Sequence, residues 1–357
     1  GKGVIDGSGR KKIVGVNALA QRFNAWGTIY TGIAAKDYMD GTGNFYGVHS
    51  VTLYVDSVLV FRSVTDEVSP DENRMINGFT DYEELMKNRR LIMRSHKLPG
   101  NKLRLLHTDE NRGLVTIDEE RDYRFMYVLE DNFGNRKKYR FTVRGRKQEI
   151  PEMKNDSCKM LCWNRTNVIQ EPGMEFVIPR GMLYDDAPLR TAVAGDSSNL
   201  SFEYTLDARH TPLHGFCQLA IGIRNDTLAD KSKYYIRNRV GKWTSSVGGK
   251  YDNGWMKADI RQWGNFSVAV DTIAPSVTPI GQNIWRTRRD IRFRVSDGLT
   301  GIASYKVLID GKFVLFALKK GVLIIQDPDK VKKGVPHTAE VIVADNCGNV
   351  TRKQYKF

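Results

Sequence analysis

A zinc site gathers His, Cys or carboxylate ligands, and short spacings such as H-x-H, H-E-x-x-H or paired C-x-x-C announce it. This chain has six histidines and four cysteines, and none of those spacings. Only His210-Thr211-Pro212-Leu213-His214 brings two histidines close in sequence, and the proline between them argues against a shared helix face. Cys158 and Cys162 form a lone C-x-x-x-C. In an extended chain their α-carbons lie about 13 Å apart, too far for a disulfide without a turn. Isolated thiols, with Cys217 and Cys347, are the plainer reading. No G-x-S-x-G elbow occurs, and Gly41-Thr42-Gly43 and Gly248-Gly249 sit among turn and strand residues instead of opening a phosphate-binding helix. Asp37, Asp40 and Asn44 around Gly41 offer oxygen ligands of the calcium kind, but they lack the spacing and closing Glu of a calcium loop and fit an Asx-rich turn better. Asp109-Glu110 and Glu119-Glu120 are sequence neighbours, which a strand points to opposite faces. The expectation is no catalytic residue, no cofactor and no metal in this chain.

The remaining candidates are for binding. Trp243, Trp255 and Trp263 each lie next to or near a glycine; exposed, they would stack on sugar rings, whereas large aromatics in β modules also fill cores. Lys138, Arg140 and Arg144 lie opposite Tyr139, Phe141 and Val143, and Arg292 and Arg294 lie opposite Ile291, Phe293 and Val295. Such stripes suit an anionic polymer or a plain solvated sheet face. No nucleic-acid motif accompanies them.

These side chains need strands to hold them. The composition, with 32 Gly, 15 Tyr and 15 Phe, leans to β structure, and period-two alternation is plain in Val51-Thr52-Leu53-Tyr54-Val55 and in Tyr139-Arg140-Phe141-Thr142-Val143. Turn residues at Asn77-Gly78, Pro99-Gly100-Asn101 and Asn132-Phe133-Gly134-Asn135 separate the runs. Thr80-Asp81-Tyr82-Glu83 has capping-box spacing and predicts a helix over 81–90. No apolar run approaches the ~18 to 20 residues of a membrane span. The polar, glycine-rich start without methionine reads as that of a processed or truncated product.

The two ends of the chain match. Gly47–Asp56 aligns without a gap on Gly301–Asp310, and Asp131-Asn132-Phe133-Gly134-Asn135 on Asp345-Asn346-Cys347-Gly348-Asn349, each followed by a basic strand. The first copy is longer by about forty residues, placed near 65–105 with the helix. The fold expected is mostly β, with three consecutive β-sandwich modules. Residues 1–149 and 272–357 are related and immunoglobulin-like, the first with a short helical insertion, and 150–271 is a distinct β module. The formal charge of +14 divides as +5, +1 and +8 over these segments in order. The linker Asp271-Thr272-Ile273-Ala274-Pro275 has the form common before bacterial immunoglobulin-like modules.

Longer motifs carry a resemblance. Ala35–Thr42, Gly78-Phe79-Thr80-Asp81-Tyr82-Glu83-Glu84, Asn111–Glu119, Gly181–Asp186, Tyr251-x-Asn253-Gly254-Trp255-x-x-Ala258-Asp259-Ile260-Arg261 and the closing Asp345-Asn346-x-Gly348-Asn349 resemble the C-terminal region of lysostaphin-like zinc metallopeptidases (peptidase family 23) of Bacteroidetes-type bacteria. The likeness runs from Gly1 to Phe357 and departs from the family at Asp66–Glu72. It implies an upstream catalytic domain that binds zinc through H-x-x-x-D and H-x-H and cuts peptidoglycan crosslinks. Neither motif is in this sequence, so no catalytic residue carries over and zinc is expected only in that upstream domain.

Two readings follow. In the first, this is a non-catalytic accessory region of a cell-envelope peptidoglycan endopeptidase, exported to the periplasm or envelope of a Gram-negative bacterium. Its partners would be the upstream peptidase domain and peptidoglycan or another anionic envelope polymer. The alternative is a glycan-binding or adhesion β-sandwich protein of the bacterial surface. Nucleic acid is not an expected partner, because the charge lies on the two outer segments and no nucleic-acid motif accompanies it.

Overall fold

The computed structural model describes residues 3–6, 11–38, 45–150, 158–195, 200–208 and 210–357; Asp40 and Asn44 of the Asx-rich turn lie outside them. The chain forms two compact units, one of Gly1–Asn167, Pro179–Leu189 and Ala208–Gly215, the other of Val168–Ile178, Arg190–Asp207 and Phe216–Phe357. Strands dominate both, and among the described residues no helix is long and apolar enough to cross a membrane.

In the first unit the strands of the main sheet are β1 (Gly3–Ile5), β2 (Arg22–Ile29), β3 (Ser50–Val55), β4 (Val58–Val64), β5 (Leu106–Thr108), β6 (Val115–Ile117), β7 (Asp122–Glu130) and β8 (Arg136–Gly145). They make one sheet in the order β1-β2-β8-β7-β3-β4-β5, with β6 also on β2. Alternation decides the faces: Tyr123, Phe125, Tyr127 and Leu129 of β7 are buried, with less buried residues between them. One apolar core takes in Ile29 and Ile117 from one side of the sheet and Phe61 and Leu106 from the other, so the sheet curls round a shared interior.

The helical insertion is small. Helices α1 (Ile76–Phe79) and α2 (Tyr82–Asn88) are short, and the N-cap of α2 is Asp81, whose carboxylate accepts the Glu84 N–H, not Thr80. Thr80 is taken by the preceding turn, its hydroxyl donating to the Ile76 carbonyl at 3.0 Å. Asp81 and Glu84 are buried, and Lys11 offsets their charge at 2.9 and 3.6 Å. Within this unit Arg74 donates to the carbonyls of His214 and Leu213, and the Tyr184 hydroxyl donates to the Arg74 carbonyl at 2.8 Å.

The second unit begins with β9 (Asn167–Glu171, from Val168), β10 (Met174–Ile178) and β11 (Ala187–Ala194, from Arg190). It continues with β12 (Glu203–Asp207), β13 (Cys217–Gly222), β14 (Tyr234–Val240), β15 (Trp243–Gly248), β16 (Lys250–Asp252), β17 (Trp255–Ile260) and β18 (Gly264–Val270). These form two sheets, β9-β10-β13-β17-β16 and β11-β12-β18-β14-β15. The same unit holds β19 (Ser276–Ile280), β20 (Arg292–Ser296), β21 (Ile302–Ile309), β22 (Lys312–Phe313), β23 (Phe316–Lys319), β24 (Val322–Ile325), β25 (Thr338–Asp345) and β26 (Val350–Lys356). They build a two-sheet sandwich, β19-β20-β24-β23 on β22-β21-β25-β26, around the fully buried Trp285 and Phe293.

The outer modules are related at the level of register. In the first, β4-β3-β7-β8 sets Leu53 opposite Tyr127 and Phe125 opposite Phe141. In the third, β22-β21-β25-β26 sets the aligned Val307 opposite Val341 and Ala339 opposite Tyr355. The closing turns agree atom for atom. Asp131 accepts the N–H groups of Phe133 and Asn135 and the Asn135 amide, and Asp345 accepts those of Cys347 and Asn349 and the Asn349 amide.

Candidate functional site

Trp255 opens β17 after a two-residue turn in which Asn253 (φ 48°) and Gly254 (φ 83°) are both left-handed. That is the backbone of a type I′ hairpin, the turn that Asn-Gly favours, and it pairs Asp252 with Trp255. The Asn-Gly pair was a usable sequence signal for this hairpin. Met256, Ala258 and Ile260 of β17 face the core, which leaves Trp255, Lys257 and Asp259 on the outer face.

The neighbouring strands shape that face. Gly222 of β13 lies opposite Trp255, and a Cβ there would stand 3.7 Å from the indole, so the ring lies along the glycine backbone and is 37% exposed. Lys257 reaches Asp252 at 2.6 Å, and Gln218 lies opposite Asp259. An open groove of about 560 Å³ runs beside them, lined by Gln218, Lys250, Asp252, Lys257 and Asp259. Tyr251 anchors the hairpin from behind by donating to Asp226 at 2.6 Å. Trp255 does not line the groove but shares its sheet face, and an apolar ring with carboxylates, an amide and ammonium groups further along that face suits an extended ligand with C–H faces and hydroxyl edges.

The other candidates fall elsewhere. Trp243 is 84% exposed at the β14–β15 hairpin, beside Val240. Trp263 is a correction to the tryptophan reading: it is 7% exposed and packs edge-on against Phe176, so it belongs to the core. Lys138, Arg140 and Arg144 lie on the exposed face of β8, with Arg144 3.4 Å from Asp122; Arg292 and Arg294 lie on the exposed face of β20, with Arg292 2.7 Å from Asp290. Trp255, Trp243 and the two arginines of β20 lie on three different sheets of the second unit, and the basic residues of β8 belong to the first unit. Cys158 and Cys162 are unbridged. His214 is drawn to the Tyr184 hydroxyl at 2.8 Å. His96 is buried against Tyr30, and burial drops its pKa to about 3.

One grouping escaped the sequence reading. Asp271, Asp297 and Asp345 converge in the second unit, with ligand oxygens within 4.8 Å of one another. Asp271 is fully buried and accepts the Thr300 hydroxyl at 2.7 Å, Asp297 accepts the N–H groups of Leu299, Thr300 and Gly301, and Asn349 ties Asp345 to the Asp271 carbonyl. Lys233 donates to the Cys347 carbonyl at 2.9 Å. Burial and the carboxylates of Asp271 and Asp345 push the Cys347 thiol up to about 11, so it stays a neutral thiol near pH 7. Three carboxylates are the hard oxygen donors a divalent cation takes, and these are the described residues most suited to hold one.

Against known proteins, a Zu5-like domain is matched over residues 158–271, about a third of the chain. No curated protein matches. Among solved structures, the fibronectin(III)-like modules of Clostridium thermocellum CbhA share 11% identity, with 99% of this chain and 92% of that one covered and a TM-score of 0.18. A Ca2+-stabilized adhesin with which an Antarctic bacterium binds ice shares 11%, covering 92% and 93%, with a TM-score of 0.15. The Bacteroides ovatus protein SGBP-B of a mixed-linkage glucan utilization locus, in complex with a heptasaccharide, shares 10%, covering 92% and 62%, with a TM-score of 0.15. None of the three superposes on the chain as a whole, and the architecture rests on the strand pairing described above.

Proposed function

We propose that this chain is a non-catalytic binding region of an exported bacterial surface protein, and that the Trp255 face is where it meets a glycan. The observation that carries the reading is the indole held along Gly222 by an Asn-Gly hairpin, on the same sheet face as Asp252, Lys257, Asp259 and Gln218. The experiment is a pull-down and calorimetric titration of the full chain against soluble peptidoglycan fragments and a panel of neutral glycans. Trp255→Ala is expected to lower affinity at least tenfold, and Trp243→Ala to leave it unchanged. Equal binding by wild type and Trp255→Ala would remove this face from the function.

The accessory-peptidase reading rests on the family resemblance alone and narrows the glycan to peptidoglycan. It predicts H-x-x-x-D and H-x-H in the reading frame upstream of Gly1. A parent gene without them would leave the surface-binding reading standing and this one without basis.

A further inference from the structure

The internal repeat shows which sheet edge the third module leaves open. In the first module β3 is flanked over its whole length: Ser50, Val51, Thr52 and Leu53 face Val64, Ser63, Arg62 and Phe61 of β4, and β4 is covered in turn by β5. In the third module the equivalent flanking strand, β22, is two residues long and pairs only with Leu308 and Ile309 of β21. The Val314 N–H reaches the Val307 carbonyl at 3.2 Å, and the chain then leaves for β23. Val307 therefore turns its backbone toward the β22 side. Tyr305, two residues back, turns its own N–H and C=O the same way, where no strand among the described residues meets them. Ala303 is the extra residue of a bulge, with no partner on β25. Residues 303–306 are all exposed.

The surroundings give this edge a chemistry. Tyr305 (37% exposed), whose hydroxyl donates to the Phe316 carbonyl, shares a face with Val307, while Phe313 (58%), opposite Leu308, is exposed on the other face; Leu315 (47%) and Leu318 (38%) are accessible further along the chain. Lys306, Lys312, Lys319 and Lys320 are exposed around it. We infer that the edge Ile302–Lys306 is a docking site for an extended acidic segment of another protein, which adds beside β21 as an antiparallel strand in the place β4 takes beside β3. Backbone groups would supply the pairing, Tyr305 the apolar contact on one face of the added strand, and Lys306 on the other face the choice of an acidic partner. A second copy fits poorly, because self-pairing at this edge brings the lysines of both chains together. The inference does not depend on the Trp255 face.

The test uses the full chain and three blocked synthetic peptides: alternating Val and Glu, alternating Val and Lys, and the Val/Glu peptide with a central proline. Fluorescence anisotropy gives affinity, and amide hydrogen exchange gives location. The Val/Glu peptide is expected to bind and to slow exchange at Tyr305. The proline and Val/Lys peptides are expected to bind at least tenfold more weakly, as is the Val/Glu peptide to Lys306→Glu. Lys306 is exposed, so that variant keeps the fold. Lack of binding would overturn the inference, as would protection confined to other residues or equal binding by the proline peptide. Heparin slowing exchange at the same amide with equal affinity would make the edge a site for anionic polymers, and would overturn it too.

Discussion

In both outer modules a carboxylate closes the same five-residue turn, and the difference lies in what covers it. Asp131 and Asn135 hold a turn whose central residue, Phe133, is 92% exposed. Asp345 and Asn349 hold one whose central residue, Cys347, is 3% exposed, covered by Asp271, Thr300 and Lys233. The backbone hydrogen bonds are alike, so neither the turn nor its closing carboxylate decides exposure. What differs at the third module is a set of groups gathered over the turn: Lys233 and the linker residue Asp271 from the middle segment, and the Thr300 hydroxyl from its own. A local motif was kept, and its use changed with its neighbours.

Removing the carboxylate from each turn should break that likeness most sharply. Asp345→Ala strands the N–H groups of Cys347 and Asn349 in a buried site, where each unmet donor costs on the order of 1–3 kcal/mol, so a loss of about 3 kcal/mol is expected. Asp131→Ala frees the same donors into water and should move the denaturation midpoint little. Urea unfolding of both variants in chelator, which keeps added cations out of the comparison, checks it. Equal losses would mean that burial of the junction contributes nothing.

Exchanging the central residues sharpens the same contrast with a smaller effect. Cys347→Phe forces a ring into a filled junction and should cost about 1–3 kcal/mol, while Phe133→Cys removes a ring that is almost wholly in solvent and should be close to neutral. Thermal unfolding of the two variants reads the difference. An unchanged midpoint in Cys347→Phe would show the junction to be loosely packed.

The contrast also marks what the sequence could show. The repeat was legible because alternation and Asx turns are local: aligning Gly47–Asp56 on Gly301–Asp310 foretells that Val307 and Val341 pair as Leu53 and Tyr127 do. The covered turn was not, because Asp271, Asp297 and Asp345 are far apart in sequence and meet only through tertiary packing. The tryptophans divide in the same way. Trp255 takes its outward face from the alternation of β17, whereas Trp263 precedes a strand and is buried by its contact with Phe176, which no local pattern states. At the helix both Thr80 and Asp81 are good N-caps, and the choice was made by the preceding turn engaging Thr80.

The smallest expected difference is in pH dependence, at the hairpins after β3 and β21. Asp56 and Asp310 both sit at positive φ and accept the N–H of Arg124 and Thr338, at 2.8 and 2.9 Å. The first module then closes Asp56 with Arg121 at 2.6 Å, and the third closes Asp310 with His337 Nδ1 at 2.6 Å while His337 Nε2 faces the Lys332 carbonyl at 2.8 Å. Only the imidazolium donates to both acceptors. Burial works against that charge, as does nearby Arg286, but the bonds to Asp310 and Lys332 outweigh them and His337 is raised above the usual 6.5. A raised folded value means stabilisation that is full below the unfolded pKa and is lost as pH rises through the folded one. Asp310, held below its ordinary value, sets the opposite limit in acid: its share is full above 3.8 and is lost as pH falls through the depressed value. Arg121 does not titrate in this range, so Asp56 keeps its partner where Asp310 loses one. Amide exchange at Thr338 should quicken relative to Arg124 between about pH 6 and 9, after correction for intrinsic rates, and His337→Gln should abolish that excess. If the two amides keep a constant ratio across that range in the wild type, the histidine pair adds nothing that the arginine pair does not.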